Sequence, residues 1–357
     1  MLTSLNHTNR KPPLVAQAFI LCLLLTMFCC GCSKGREKMF TRPDQPIVWP
    51  ELPERPRIEY IGQLATEDDL KRGVSFVEGL GQALFGREHI GILTNPYGLA
   101  LDNQERLFVA DSAGSVVHIM DLKTRQYRQF SEMADGEKLL SPISLAIVEG
   151  DIYVSDSMLG KICVFSQQGR YKFSFGSDIL RRPSSIAYSQ TPGKPFVADT
   201  KRHVIAVFDK QGKFLAEMGR RGSGQGQFNF PTHLWVDTEG KLYVSDTLNY
   251  RVQVFTPDGQ FLLAFGEHGD RPGYFAHPCG LATDSFGNIY VADRQFENIQ
   301  IFSSRGQILM AIGGEGHGPG QFWLPAGIFI DKSDRIFVAD SFNKRVQVLQ
   351  LLEGGIP

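Results

Sequence analysis

One tract recurs along the chain at nearly constant spacing. LFVAD, IYVSD, PFVAD, LYVSD, IYVAD and IFVAD end at Asp111, Asp156, Asp199, Asp246, Asp293 and Asp340, in steps of 45, 43, 47, 47 and 47 residues. A Gly-rich tract keeps the same period, with GRRGSGQGQF from Gly219, GEHGDRPGYF from Gly266 and GGEGHGPGQF from Gly313. Such a period marks a repeat architecture, in which each unit buries its apolar face only against its neighbours. The last tract also excludes one chemistry. A Walker loop ends in Gly-Lys-Ser/Thr, whereas this one runs into Gln321-Phe322-Trp323. A loop repeated once per unit reads as the crossing between units, with glycine supplying backbone angles that other residues avoid.

Each unit reads as four strands. In the fifth they are the inner tract HPCGLATD (277–284), then NIYVAD, then NIQIF, then ILMAIG, separated by short polar turns. The tracts are rich in Val, Ile, Phe and Tyr and bounded by Gly, Pro, Asp and Asn. Units of this length and strand number predict an all-β fold, a six-bladed β-propeller of four-stranded blades over 57–352. The sixth unit stops one strand short at RVQVLQLL (345–352), and RIEYIG (57–62) has the pattern of a fourth strand. A closing strand over 57–64 therefore joins the last blade and removes an open sheet edge. Between them and the first unit, 66–90 reads as a short helical insertion. Thr66 and Asp69 resemble a capping box, and Leu70, Val74, Val77, Leu80 and Leu84 fall near one helical face.

The Pro-x-Gly-apolar-Ala-x-Asp entry, the Ile-Tyr-Val-Ala-Asp strand and the Asn-x-Arg-Val-Gln-Val-Phe strand together resemble the NHL-repeat family of six-bladed propellers. The motif is complete in DTLNYRVQVF (246–255) and DSFNKRVQVL (340–349), whereas blades 1, 2 and 3 carry GSV, GKI and RHV in place of Asn-x-Arg, and blade 5 carries ENI. The resemblance implies the fold but not one function, since the family hosts several.

The N-terminus differs from the rest. Arg10 and Lys11 precede LVAQAFILCLLLTMFCCGC, a basic start, an apolar run and small residues that read as a signal peptide over 1–31. Gly31-Cys32-Ser33 resembles the lipidation point of bacterial lipoproteins, which makes Cys32 the lipidated residue. Ser33 resembles the outer-membrane sorting pattern. The same apolar run approaches the length of a spanning helix, so an uncleaved anchor is the other reading. Either way the propeller is expected at a membrane on the periplasmic or envelope side, held by a Pro-rich tether over 32–56 that extends roughly 3 Å per residue. Four of the six cysteines lie in this leader. Cys163 and Cys279, in blades 2 and 5, are too far apart around a ring for a disulfide.

The strand-ending aspartates, the crossing loops and the inner-strand entries gather on one face. Aspartates repeated once per blade read as turn caps rather than as a metal cage. Asymmetry is a better guide to function. Arg181, Arg182, Arg220, Arg221 and Arg271 fall in crossing loops, and Arg202 in a neighbouring turn, so the face is predicted to bind a protein or an anionic ligand. With a net charge of −1, the chain lacks a nucleic-acid footprint. His233 is the one histidine at an inner-strand entry. Some six-bladed relatives, the peptidyl-hydroxyglycine amidating lyases, hold zinc with channel histidines, so the alternative is a metal-dependent lyase or hydrolase with His233 as a zinc ligand. A catalytic zinc needs three protein ligands, and no partner histidines are evident on alternating blades. The reading favoured by the sequence is a binding or assembly scaffold with no cofactor.

Overall fold

The second strand of every blade is buried along almost its whole length, as in Arg106–Asp111, Asp151–Asp156 and Arg335–Asp340. Such a strand needs cover on both faces, and a neighbouring blade supplies each one. The computed structural model describes residues 39–40, 42–70 and 91–356, which lie within one compact unit. Six antiparallel sheets follow one another, each running outward from an inner strand: Pro96–Leu101, Pro142–Val148, Pro183–Ser189, Pro231–Val236, Pro278–Thr283 and Pro325–Ile330. Six apolar clusters fill the six seams between blades. Ala198, Ile205, Phe228, Leu234 and Val244 join blades 3 and 4. Leu99, Val109, Ala339 and Val346 join blade 6 to blade 1 and complete the ring.

Ile58–Leu64 pairs antiparallel with Arg345–Leu351, from Ile58 opposite Leu351 to Leu64 opposite Val346. Blade 6 thus takes its fourth strand from the N-terminal side. One expectation needs correction. The described part of the predicted tether is not a free spacer, because Val48–Trp49 adds a fifth strand to this sheet. Trp49 packs on the core between blades 5 and 6 and lies against Gly320 of the GGEGHGPGQF loop.

The signal peptide and Cys32 lie outside the described residues, as does most of the predicted helical insertion. Its described start, Glu67–Leu70, is a 3-10 turn. There the Asp69 carboxylate accepts from the Ala65 and Thr66 N–H groups at 2.6 and 2.8 Å, so the capping pattern is real although the turn is 3-10. Among the described residues no helix is long and apolar enough to cross a membrane.

Candidate functional site

The six strand-ending aspartates are wholly buried, and their carboxylates accept backbone N–H groups where the inner strand of the same blade begins. Asp111 takes Thr94 and Asn95 at 2.5 and 2.9 Å, and Asp199 takes Arg181 and Arg182 at 2.7 and 3.0 Å. They are caps, as their repetition predicts. Burial pushes the Asp111 carboxyl upward, but bonds from His118 and from the Thr94, Gly114 and Asn95 N–H groups outweigh it and hold the pKa below the ordinary value. Asp237, Asp284 and Asp331, at the far end of the blades, cap hairpin turns in the same way.

The Asn-x-Arg-x-Gln pattern explains two of the three Gly-rich loops. Arg345 donates to Asp340 at 2.7 Å and to the carbonyls of Gly318 and Gln321 at 2.7 and 2.9 Å, while Asn343 takes the Gly316 carbonyl at 2.8 Å. Arg251 and Asn249 repeat this on the loop after Gly219. GGEGHGPGQF is therefore a crossing loop whose carbonyls are held by the next hairpin. Arg251 and Arg345 are structural and do not belong to a free basic rim.

The candidate arginines separate into two groups. Arg202 pairs with Glu217 at 2.6 Å, so its charge is already balanced; this corrects its assignment as a free contact residue. Arg181, Arg182, Arg220, Arg221 and Arg271 are exposed, and none of the five enters an ion pair among the described residues. Asp199 fixes the backbone of the first two, leaving their side chains to project. The same face exposes large apolar groups: Ile92, Leu140, Met158, Leu248, Trp323 and Phe342. Trp323 meets Phe342 edge-on at 5.4 Å and His317 at 5.0 Å. Tyr250 and Phe296, in the turns of the same face, are half-buried.

At the centre of this face the channel is stoppered. Tyr97 of blade 1 reaches across to blade 4 and stacks on His233, with ring centroids 5.7 Å apart. Its hydroxyl accepts from Arg294 of blade 5 at 3.1 Å, and the guanidinium lies 5.4 Å from the centre of its ring. Arg294 was not among the predicted site residues, yet its signal was present. Every other blade has Ser or Thr after the strand-ending Asp: Ser112, Ser157, Thr200, Thr247 and Ser341. Thr200, Thr247 and Ser341 donate to the carbonyls of Pro231, Pro278 and Pro96 in the following blade, at 2.7, 2.9 and 2.7 Å. In blade 5 the corresponding Pro325 carbonyl meets Cys279 Sγ at 3.4 Å, and Arg294 is released toward the channel.

His233 lies at the channel, as expected, but it is 6% exposed and neither ring nitrogen has a hydrogen-bond partner among the described residues. Burial, reinforced by the Arg294 charge, lowers its pKa to about 3. Burial raises the Cys279 thiol to about 12, so a reactive thiolate is disfavoured there. Cys163 is likewise buried and free. The zinc alternative does not fit these residues. No group of three His, Cys, Asp or Glu side chains converges among the described residues, and the nearby guanidinium opposes a second cation. His203, His268 and His317 are occupied elsewhere: His203 accepts from the Phe230 N–H at 3.1 Å, His268 packs against Tyr250 with the rings tilted, and His317 meets Asn343.

Beyond Tyr97 the channel widens into a cavity of about 210 Å³, lined by the third to sixth residues of the inner strands, among them Leu145, Ala146, Ile186, Tyr188, His233, Trp235 and Phe329.

Comparison with known proteins agrees with this architecture. A family model described as a 6-bladed beta-propeller matches residues 177–241 and 283–352. The Drosophila melanogaster protein brain tumor is 31% identical over 133 residues, a match covering 36% of this chain and 13% of that protein. Virginiamycin B lyase from Staphylococcus aureus superposes with a TM-score of 0.54 at 14% identity, over 72% of this chain and 96% of that one. An auxiliary nutrient binding protein from Bacteroides ovatus gives 0.56 at 14% identity, over 73% and 70%. At these identities the structural likeness concerns the fold. With five four-stranded sheets, a sixth that gains a fifth strand, six filled seams and two stretches that match the family model, the chain is a six-bladed β-propeller.

Proposed function

We propose that this NHL-type propeller is a binding scaffold that holds a protein partner on its crossing-loop face. One observation carries the reading. Five arginines without an ion pair among the described residues share that face with exposed Met158, Leu248, Trp323 and Phe342. Arginine, methionine and aromatic residues are enriched in protein interfaces, and Trp and Arg dominate their hot spots. Arg181→Glu with Arg182→Glu, and separately Arg220→Glu with Arg221→Glu, are expected to reduce crosslinked recovery of an acidic partner about tenfold, with no change in the thermal midpoint. Unchanged recovery in both would place the interface elsewhere.

The second half of the proposal is the tether. Cys32, after an apolar leader, would carry a lipid and hold the propeller outside the cytoplasm. Cells fed an alkyne fatty acid should label the wild-type chain and not Cys32→Ala. Equal labelling of both would remove Cys32 from this role.

A further inference from the structure

The cavity behind Tyr97 has an unusual polar end. In blades 2 and 3 the third inner-strand residue is serine, and its hydroxyl is used: Ser144 accepts from the Ile186 N–H at 3.2 Å, and Ser185 from the Leu234 N–H at 3.0 Å. In blade 4 the same position is His233, whose two ring nitrogens are unpartnered. A buried polar group left in this state costs free energy that a hydrogen bond would recover. A neutral imidazole offers one donor and one acceptor. The rest of the lining is mostly apolar and aromatic, with Tyr188, Trp235 and Phe329 toward the ends of the inner strands. Trp235 and Phe329 meet edge-on at 5.8 Å.

Size and charge narrow the occupant. An apolar cavity of about 150 Å³ accepts benzene, so about 210 Å³ accommodates one ring with a small substituent. The Arg294 guanidinium, held on the Tyr97 ring that stacks against His233, makes the polar end positive. It favours an oxygen head and opposes an ammonium.

We propose that the channel cavity binds a single-ring aromatic molecule bearing one hydroxyl or carboxylate, with its ring among Trp235, Phe329 and Tyr188 and its oxygen on His233. This site is separate from the crossing-loop face and does not depend on it.

The full chain carrying Trp49→Phe and Trp323→Phe leaves Trp235 as the one tryptophan of three. Its emission is followed during titration with benzyl alcohol, benzoate, toluene and benzylamine, and the first two are repeated by calorimetry on the unsubstituted chain. Benzyl alcohol and benzoate are expected to saturate the signal and benzylamine to leave it unchanged. His233→Phe should weaken both oxygen-bearing ligands at least about tenfold while leaving toluene unaffected. Ala146→Leu should abolish all binding by filling the cavity, and Ala187→Leu serves if that variant loses its thermal transition. The proposal is overturned if neither benzyl alcohol nor benzoate binds at millimolar concentration, if a folded cavity-filling variant binds them as before, or if His233→Phe leaves their affinity intact.

Discussion

Arg345→Met is expected to destabilise the propeller by about 3–5 kcal/mol, the usual cost of removing one partner of a buried ion pair. Arg345 is 6% exposed and Asp340 is wholly buried. The guanidinium donates to Asp340, to the Gly318 and Gln321 carbonyls and to Gln63 Oε1 at 3.0 Å. Methionine would fill part of the volume and leave a carboxylate without its cation and two loop carbonyls without this donor. Gln63 lies on the N-terminal strand, so the loss also falls on the sheet that combines both ends of the chain. Urea unfolding of the variant beside Arg271→Met provides the check. The exposed Arg271 has no ion pair among the described residues, and its replacement should shift stability by less than about 0.5 kcal/mol. A loss below about 1 kcal/mol for Arg345→Met would mean that the loop carbonyls and Asp340 find other partners.

Acid is expected to weaken the fold through His233. Burial holds this imidazole neutral down to about pH 3, with Arg294 and then His277 adding to the effect. In the unfolded chain a histidine titrates near 6.5. Between these values the unfolded state binds a proton that the folded state refuses. Stability therefore falls as pH drops through 6.5 toward 3, at up to about 1.4 kcal/mol per pH unit. From neutral pH to pH 5 the contribution is about 2 kcal/mol. Burial also lowers the pKa of His277 and His203, so the wild-type slope contains their share. The difference between wild type and His233→Phe isolates the residue. Urea midpoints at pH 7 and pH 5 should converge less in the wild type than in the variant with respect to their neutral values, the wild type losing about 2 kcal/mol more. Equal losses would mean that His233 is hydrated or partnered in solution.

Much of the fold was readable because repetition makes weak local signals add. One IYVAD tract is an ambiguous short strand; six at nearly equal steps specify blades, and the strand missing after Leu352 points to Ile58–Leu64. The aspartate caps were readable for the same reason. The site was less so, because it consists of departures from the repeat. Arg294 breaks a Ser/Thr rule that holds in every other blade, and only comparison of the position after each Asp exposes it. Tyr97 gave no signal at all. Its contact with His233 exists because blade 1 faces blade 4 across the channel, a relation that only the closed ring creates. Arg202 looked like its neighbours, but the adjacent fourth strand offers Glu217 at 2.6 Å. The tether misled because proline-rich composition describes a segment in isolation, whereas Trp49 found a surface of blade 6 to cover.

The pairing of Ile58–Leu64 with Arg345–Leu351 has a consequence for biosynthesis. Gln63 and Arg345, which meet at 3.0 Å, are 282 residues apart. At ribosomal speeds of about 5–20 residues per second, Ile58–Leu64 waits roughly 15–60 s for the last strand. During that interval five blades emerge and can stack while the sixth has only its N-terminal strands, and Ile58–Leu64 presents an unpaired edge. A nascent chain of this kind is most exposed to wrong partners just before it is finished, and a ribosome that stalls in the sixth blade would leave every earlier blade made and the circle still open.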